Sequence, residues 1–280
     1  MSPAHTMQQT IEKNNAPWLS VLIPVFNVQA YLEECVDSVM SQADRGVEVI
    51  LLDDRSTDNS FAVMEMLAKR WPGQLTLMQH IVNSGPGAAR NTMIDVAHGE
   101  YIWFLDSDDK LMPDCISELR STIEMHAPDV VLCDFGVYRD QQTLKHKLRR
   151  EHHKHTFCGR RRQLMHDRAY VLTGLLHTGQ LHPWSKISRR ALWNSPIRFP
   201  EGVYFEDMLP TLLMISRAQS FFYQPRPWVA YRQWNNSILA SMTLKKACDQ
   251  SMALLPLRNA LKNESWADNP KLHFAWAHQC

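Results

Sequence analysis

The stretch GEYIWFLDSDDKLMP, residues 99–113, joins a run of large apolar side chains to three closely spaced aspartates. Residues 101–105 form a short continuous apolar run, as a strand buried on both faces of a sheet requires. Asp106, Asp108 and Asp109 follow at once. Carboxylates this close repel one another, and at least one pKa rises unless a cation intervenes. Folding alone does not need this arrangement, so we interpret it as a strand end that meets positive charge.

Strand and helix patterns alternate on both sides of this stretch. Continuous apolar runs predict strands at 19–25, 47–53, 75–80, 101–106 and 129–135. Amphipathic or capped patterns predict helices at 31–39, 56–71, 87–98 and 113–126. This alternation is typical of an α/β fold with a doubly wound, mainly parallel sheet.

The pattern changes after about Phe135, where polar and basic residues precede mixed helices and short strands. From Thr243 a helical pattern places Leu244, Cys248, Met252 and Leu255 on one side. We therefore predict a mixed second half and a helical tail. The predicted units are a flexible segment at 1–17, a catalytic domain at 18–238 with halves 18–135 and 136–238, and a helical extension at 239–280.

Composition limits the partners and the compartment. The 280 residues carry a formal net charge of +1, so no global field attracts nucleic acid or a membrane. No signal-peptide core is visible, and no apolar run approaches the roughly 18 residues that span a bilayer. Six scattered cysteines lack paired spacing, which indicates free thiols in a reducing compartment. We predict a cytoplasmic protein.

Polar side chains follow three of the predicted strands, in the stretches PVFN, DDRSTD and DSDD. Ligands of open α/β sheets bind beyond the carboxyl ends of the strands. Hard oxygen ligands suit Mg²⁺ or Mn²⁺, and such ions keep positions open for substrate phosphates. The aspartates therefore indicate half of a metal–diphosphate site.

Two other interpretations of the aspartates are excluded by the sequence, and three remain open. A calcium loop of the EF-hand type would need glycine where Leu111 stands. A dinucleotide-binding domain would need G-x-G-x-x-G after the first strand, and PVFNVQAYL contains no glycine. A solvated turn of capping aspartates, a phosphatase with an Asp-x-Asp pair and a binding module without turnover remain open.

Several motifs, taken in order, resemble glycosyltransferase family 2. They are SVLIPVFNVQAYLEECVDSVMSQ, VEVILLDDRSTDNS, NSGPGAARN, GEYIWFLDSDD, HPWSKISRRAL, IRFPEGVYFEDMLPTL and YRQWNNSI, and they extend over residues 19–238. The resemblance implies a GT-A fold and inverting transfer from a nucleotide sugar, with a UDP-linked hexose or N-acetylhexosamine expected. The expected acceptor is a hydroxyl of a bacterial surface polysaccharide or lipid-linked saccharide.

The resemblance also implies roles by motif position. Asp207 matches the catalytic base, and Asp108 and Asp106 match the ligands of Mn²⁺ or Mg²⁺. The positions implied for the donor are Pro24, Phe26, Asn27, Asp53, Asp54, Asn83, Gly85, Arg90, Asp106, Lys186 and Arg232. Trp184 and Glu206 are implied near the sugar or acceptor. Arg55 departs from the pattern, because the family commonly has glycine there.

Four residues in these motifs also have a physical interpretation. Gly85 and Gly87 allow close backbone approach at a helix N-terminus, where amide groups favour anions. Arg90 suits a phosphate or a uracil carbonyl, or a salt bridge across the sheet ends. Asp109 is predicted to cap the helix that starts near Pro113.

A basic, histidine-rich segment lies in the second half. EHHKHTFC, residues 151–158, contains three histidines and a cysteine, but crowding between basic residues favours a solvated loop over a zinc site. Residues 145–162 carry eight Lys or Arg against one Glu. The segment could meet an acidic acceptor or the inner membrane leaflet, although a solvated face is the commoner role.

Overall fold

The computed structural model describes residues 16–139, 152–194, 196–233 and 243–279. Three predictions therefore lie wholly or largely outside the described residues. These are the flexible segment at 1–17, the KHKLRR part of the basic segment, and the WNNSI part of the last motif.

The described residues form strands and helices that alternate through the first half. The strands are β1 (Leu19–Val25), β2 (Val47–Asp53), β3 (Leu75–Gln79), β4 (Tyr101–Phe104), β5 (Lys110–Leu111), β6 (Val130–Tyr138), β7 (Leu164–Met165), β8 (Lys186–Arg189) and β9 (Phe221–Arg232). The helices are α1 (Leu32–Met40), α2 (Ser60–Arg70), α3 (Gly85–Val96), α4 (Cys115–His126), α5 (Arg168–Thr178), α6 (Met208–Arg217), α7 (Leu244–Met252), α8 (Leu255–Leu261) and α9 (Pro270–Gln279).

All of these strands belong to one mixed sheet, in the order β3-β2-β1-β4-β8-β6-β9-β5, with β7 beside β9. Strands β1 to β4 pair in parallel, which confirms the predicted first half. The prediction did not foresee that β8 lies antiparallel between β4 and β6. Local sequence patterns set strand length and burial, whereas strand order depends on contacts far apart in the chain.

Helices cover both faces of the sheet, so each buried strand contributes side chains to two cores. Along β1, Leu22 faces one core, while Val21 and Ile23 face the other. The Leu22 core includes residues of α3, α5, α6, α8 and α9, and the opposite core includes residues of α1, α2 and α4. This arrangement is the doubly wound α/β architecture expected from the alternating pattern.

The helical tail is present as predicted, and α9 packs against α5. The apolar stripe predicted on α7 does not point into the core. Leu244, Cys248, Met252 and Leu255 are all exposed. In the described part of the chain, no helix is both long enough and apolar enough to span a bilayer.

Candidate active site

The parallel strands β1, β2 and β4 bring their carboxyl ends to one edge of the sheet. Val25 at the end of β1 lies beside Asp53 at the end of β2. The backbone NH of Leu105, just after β4, donates to the carbonyl of Leu22. The turn that follows contains Asp106, Asp108 and Asp109, which we call the carboxylate edge. The fold thus gathers the polar loops that the sequence placed after separate strands.

Asp109 is the buried member of the carboxylate edge. Its Oδ1 accepts a 2.7 Å hydrogen bond from the backbone NH of Arg232, while its buried Oδ2 has no hydrogen-bond partner among the described residues. Burial, followed by the charges of Asp108 and Asp106, raises the pKa of Asp109 well above its usual value. The prediction that Asp109 caps the next helix is wrong. Helix α4 begins at Cys115, with Asp114 before it, because β5 first draws the chain back into the sheet.

The carboxylate edge fits a hard divalent cation. Three carboxylates crowd one turn, one buried oxygen lacks a partner, and the same charges help to raise the pKa of nearby Tyr231. A cation at this edge would lower the pKa of Asp109 and offset the mutual repulsion. Oxygen donors of this type favour Mg²⁺ or Mn²⁺ over softer ions.

Arg90 on α3 joins the carboxylate edge to a distant loop. Its guanidinium donates to Asp106 Oδ1 at 3.0 Å and to Glu206 Oε1 at 2.6 Å. The side chain is 6% exposed, so little water screens these ion pairs. Of the two roles considered from the sequence, the described contacts match the salt bridge across the sheet ends. Arg90 therefore fixes the loop before α6 against the turn after β4.

Asp207 lies in that loop, directly before α6. Burial, followed by the neighbouring charge of Glu206, raises the pKa of Asp207 to about 7, while Arg90 opposes the shift. Its side chain makes no capping hydrogen bond to the helix, and Pro210 occupies the first turn, where proline is tolerated. A half-buried carboxylate with a pKa near neutrality is suited to general-base work.

Asp54 caps α3, and this contradicts the role predicted for it. Its Oδ2 accepts from the backbone NH of Gly85 at 2.7 Å, and its Oδ1 accepts from Ser84 NH at 2.9 Å and lies 2.7 Å from His80 Nδ1. Both oxygens are thus used inside the protein, and Asp54 is not free to bind a base or ribose. The Gly85 amide, predicted to bind a ligand anion, binds this carboxylate instead.

Gly87 allows another segment of the chain to pack closely against α3. A Cβ at this position would lie 2.4 Å from the carbonyl oxygen of Pro200. The close approach predicted here therefore brings the loop before α6 against α3. The neighbouring Asn83 donates from Nδ2 to the carbonyl of Asp54 at 3.0 Å and supports the same capped helix end.

Lys186 has a structural role and does not face a ligand. Its Nζ donates to the carbonyls of Gln180 and His182 and to Ser185 Oγ, at 2.7 to 2.8 Å. The side chain is buried, and burial lowers its pKa to about 7. All three ammonium donors are used, so the prediction that Lys186 assists the donor diphosphate is wrong.

Trp184 belongs to the core and does not line an open sugar or acceptor pocket. It is 2% exposed, and its ring stacks on His182 at 4.7 Å and on Tyr231 at 5.9 Å. The sequence could not separate this role from sugar stacking, because both require an aromatic ring beside the same strands.

Comparison with known proteins now identifies the family. The sequence profile described as glycosyl transferase family 2 matches residues 20–194, more than half of the chain. The chain belongs to glycosyltransferase family 2. That span covers the carboxylate edge, Arg90 and the capped end of α3, while Glu206 and Asp207 lie beyond it.

Relatives and solved structures agree with this membership. The poly(ribitol-phosphate) beta-glucosyltransferase of Bacillus spizizenii is 33% identical over 116 residues, which are 41% of this chain and 18% of the relative. The matched stretch covers 34% of the glycosyltransferase EpsJ of Bacillus subtilis, 18% of the B. spizizenii enzyme and 32% of GlyA of Streptococcus pneumoniae. In these three relatives the similarity is confined to about a third of the protein or less.

Two solved structures resemble the whole fold. TarS 1–349 of S. aureus, in complex with UDP-GlcNAc, superposes with a TM-score of 0.67 at 21% identity, over 93% of this chain and 79% of TarS. The mannosyltransferase PcManGT of Pyrobaculum calidifontis, in complex with GDP-Man and Mn²⁺, gives 0.59 at 18% identity, over 94% and 70%. At these identities the likeness shows a shared fold, of the GT-A type.

Hydrogen bonds tie the first two polar loops together. Asn27 Oδ1 accepts from the backbone NH of Thr57 at 2.8 Å, and Asp53 accepts from Ser56 NH and Gln79 Nε2. Phe26 is 45% exposed, so it is not a core residue. Pro24 is half-buried in β1. Phe26, Asn27 and Pro24 stay predicted donor positions at the same edge as the aspartates. Asp53 is fully buried and both of its oxygens accept hydrogen bonds within the protein, so, like Asp54, it is not free to bind a base or ribose.

Arg232 lies at the carboxylate edge, at the end of β9. Its Nε donates to the carbonyl of Asp108 at 2.9 Å, and its guanidinium pairs with Glu34 and lies 4.6 Å from the centroid of the Tyr31 ring. The sequence placed this arginine near the donor by motif position alone. Its contacts show how it also stabilises the acidic turn.

Sequence reasoning missed two residues of the candidate site. His80 and Gln79, at the end of β3, hold Asp54 and Asp53. Their position at a strand end, level with the other polar loops, was the available signal. Arg55 adopts a left-handed conformation with φ of 61°, which explains why the family commonly places glycine there.

Proposed function

We propose that this chain is an inverting, metal-dependent glycosyltransferase that moves a hexose or N-acetylhexosamine from a UDP-linked donor to a saccharide hydroxyl. The observation that carries the proposal is the bridge from Asp106 through Arg90 to Glu206. It places a carboxylate cluster suited to a metal–diphosphate beside Asp207, whose pKa is about 7. The UDP-GlcNAc in TarS and the GDP-Man and Mn²⁺ in PcManGT support the class of donor and ion.

The donor half of the site consists of the carboxylate edge and the first two loops. Asp106 and Asp108 would hold Mn²⁺ or Mg²⁺, and the bound ion supplies Lewis-acid stabilisation to the diphosphate leaving group. The exposed ring of Phe26 offers a face for the base. Arg232, held at the carboxylate edge, adds positive charge on the same side.

The acceptor half consists of Asp207 and its neighbours. Asp207 accepts the proton of the acceptor hydroxyl as that oxygen attacks the anomeric carbon from the face opposite the leaving diphosphate. One displacement of this geometry inverts the configuration. Arg90 is a positioning residue, because it holds the loop of Asp207 against the donor-binding turn. General-base assistance of this kind contributes roughly 10²–10⁴ in rate.

The proposed acceptor rests on the name of a relative, and the proposed compartment rests on the state of the cysteines. The B. spizizenii relative is named for a ribitol-phosphate polymer, so we propose a surface polysaccharide or a lipid-linked saccharide as the acceptor. The five cysteines within the described residues are free thiols, namely Cys35, Cys115, Cys133, Cys158 and Cys248. Free thiols fit a reducing compartment, and we propose that the reaction takes place in the cytoplasm, with peripheral contact at the inner membrane leaflet.

A donor screen tests this function. Purified protein is incubated with UDP-, GDP- and dTDP-sugars, with Mn²⁺ or EDTA, and the released nucleotide and inorganic phosphate are both measured. We expect Mn²⁺-dependent release of UDP from a UDP-hexose, with no inorganic phosphate. Asp207→Asn should lose turnover by 10²-fold or more but keep UDP binding. Release of inorganic phosphate would indicate a phosphatase, and preferential turnover of GDP-mannose would overturn the UDP assignment.

A further inference from the structure

A cluster of two histidines and one aspartate lies outside the proposed donor site. Asp134 on β6 is fully buried, and its Oδ2 lies 2.7 Å from both His153 Nε2 and His155 Nδ1. The three ligand atoms all lie within 4.8 Å of one another. The described bonds of Asp134 run to residues 153–156 and to Tyr223, and to no member of the carboxylate edge.

Strand geometry explains why these residues meet. Phe135 and Lys154 form an antiparallel bridge, in which the backbone of each donates to the other. In such a pair, the residue before Phe135 faces the residue after Lys154, so Asp134 is opposite His155. Side chains alternate along extended backbone, so His153 points to the same side as His155, and Lys154 points away.

The other oxygen of Asp134 is held independently. Oδ1 accepts from Tyr223 OH at 2.7 Å and from the backbone NH of Thr156 at 3.0 Å. These bonds orient the carboxylate so that Oδ2 faces the two imidazoles. Outer hydrogen bonds that fix a ligand in this way are typical of metal sites and raise their affinity.

Charge and access also favour a cation here. None of the four groups that bond to Asp134 carries a permanent positive charge, although a buried carboxylate is costly without one. The side chains of His153 and His155 are 34% and 48% exposed, so solvent and an ion can reach the imidazoles. Two imidazoles and one carboxylate suit zinc and similar transition ions, whereas Mg²⁺ and Ca²⁺ prefer oxygen alone.

We propose that Asp134, His153 and His155 form a second metal site, which takes Zn²⁺ or a similar transition ion and fastens the histidine segment to β6 and β9. Tetrahedral zinc bonds would place the ligand atoms about 3.3 Å apart. The 2.7 Å separations therefore need to open only slightly, by rotation of the exposed rings. The site revises the solvated-loop interpretation of EHHKHTFC, and Cys158 is not a member of the ligand group. It does not depend on the proposed transferase activity.

Zinc binding to the full chain tests the proposal, by calorimetry in the presence of excess Mg²⁺ that occupies the carboxylate edge. We expect one equivalent of Zn²⁺ on the wild-type protein. His153→Gln and His155→Gln should each weaken the affinity at least tenfold, and Tyr223→Phe, which removes a supporting bond, by about tenfold. His152→Gln is the matched control, because His152 is exposed in the same segment and lies outside the cluster; its affinity should not change.

Two outcomes would overturn this site. The first is equal zinc affinity in wild type, His153→Gln and His155→Gln, which would place the ion elsewhere. The second is the absence of binding to wild type, which would leave Asp134 as a hydrogen-bonded anchor only. Asp134→Asn is not used alone, because loss of the buried carboxylate could unfold the segment. The same titration on Asp108→Asn should still show the zinc equivalent, which separates this site from the carboxylate edge.

Discussion

At the scale of single residues, the environment of Asp207 decides what the site can do. An ordinary aspartate is ionised far below neutral pH and is a weak base. Burial and the charge of Glu206 raise the pKa of Asp207 to about 7, so its carboxylate is both available and basic near neutrality. The pH dependence of catalysis follows from this value.

We expect kcat/KM to rise with pH through about 7 and then level off, because only the ionised form of Asp207 accepts a proton. At pH 6 about one tenth of the groups are ionised, so the rate should be roughly a tenth of the plateau. The measurement is a pH profile of UDP release at saturating Mn²⁺. Asp207→Asn should show a low rate without this rise. A rise centred near pH 4 would contradict the raised pKa of Asp207, and an unchanged rise near pH 7 in Asp207→Asn would mean that another group is the base.

Arg55 is a second residue whose backbone decides the outcome. Its φ of 61° lies in the left-handed region, which costs a residue with a Cβ about 1 kcal/mol more than glycine. We therefore expect Arg55→Gly to raise the free energy of unfolding by about 0.5–1 kcal/mol, offset in part by the unfolded-state entropy of glycine. Urea denaturation measures this change. Arg55→Ala removes the charge but keeps the Cβ, so it should give no comparable gain; equal gains in both variants would assign the effect to the charge.

At the scale of elements, buried polar contacts hold the loops that carry the site. Lys186 uses its three donors to fix the turn from Gln180 to Ser185 before β8. Lys186→Met should lower the free energy of unfolding by about 1–3 kcal/mol, because the acceptors are left without a donor. The affinity for UDP should not change. Lys262→Met, at an exposed lysine, is the matched control and should lie within about 0.5 kcal/mol of wild type.

A selective loss of UDP affinity in Lys186→Met, with stability unchanged, would contradict the structural role of this lysine. It would restore the motif-based prediction that Lys186 faces the diphosphate. Calorimetry with UDP and Mn²⁺, alongside urea denaturation of the same samples, distinguishes the two outcomes.

Arg90 couples α3 to two loops at once. Arg90→Met leaves Asp106 and Glu206 uncompensated in a buried setting, and we expect it to cost about 3–5 kcal/mol of unfolding free energy. The double variant with Glu206→Gln should be less destabilised than the sum of the two single variants, by about 0.5–3 kcal/mol. Urea denaturation of all four proteins gives this coupling. Strict additivity would show that the Arg90–Glu206 contact contributes nothing.

The elements of the first half follow closely from the sequence, because strands buried on both faces require continuous apolar runs. The runs LSVLIPV and VEVILLD coincide with β1 and β2. The position of β8 between β4 and β6 does not follow, because pairing of strands far apart in the chain leaves no local pattern. The exposed stripe of α7 is a second example. The spacing of apolar residues predicts an apolar helix face, but it does not show whether that face packs against the core.

The candidate site was predictable in its types of residue and less so in its contacts. The carboxylate edge and Asp207 come from recognisable motifs. Asp54 and Lys186 lie in motifs too, but each is used by the protein itself, and only three-dimensional contacts reveal this. The group of Asp134, His153 and His155 was hidden because a bridge between distant segments brings it together.

At the scale of the whole molecule, the parallel half of the sheet gathers acidic loops at one edge, and the second half presents Asp207 to it through Arg90. The central claim is that a divalent ion at Asp106 and Asp108 joins this edge to a nucleoside diphosphate. Crowded carboxylates, one of them with an unpartnered buried oxygen, are otherwise a cost to folding.

Calorimetric titration with UDP, with and without Mn²⁺, tests this claim most directly, on the wild type and on Asp108→Asn. We predict that Mn²⁺ raises the UDP affinity of the wild type at least tenfold and has little effect on Asp108→Asn. Equal UDP affinity with and without Mn²⁺ in the wild type, or an undiminished effect of Mn²⁺ in Asp108→Asn, would contradict the account.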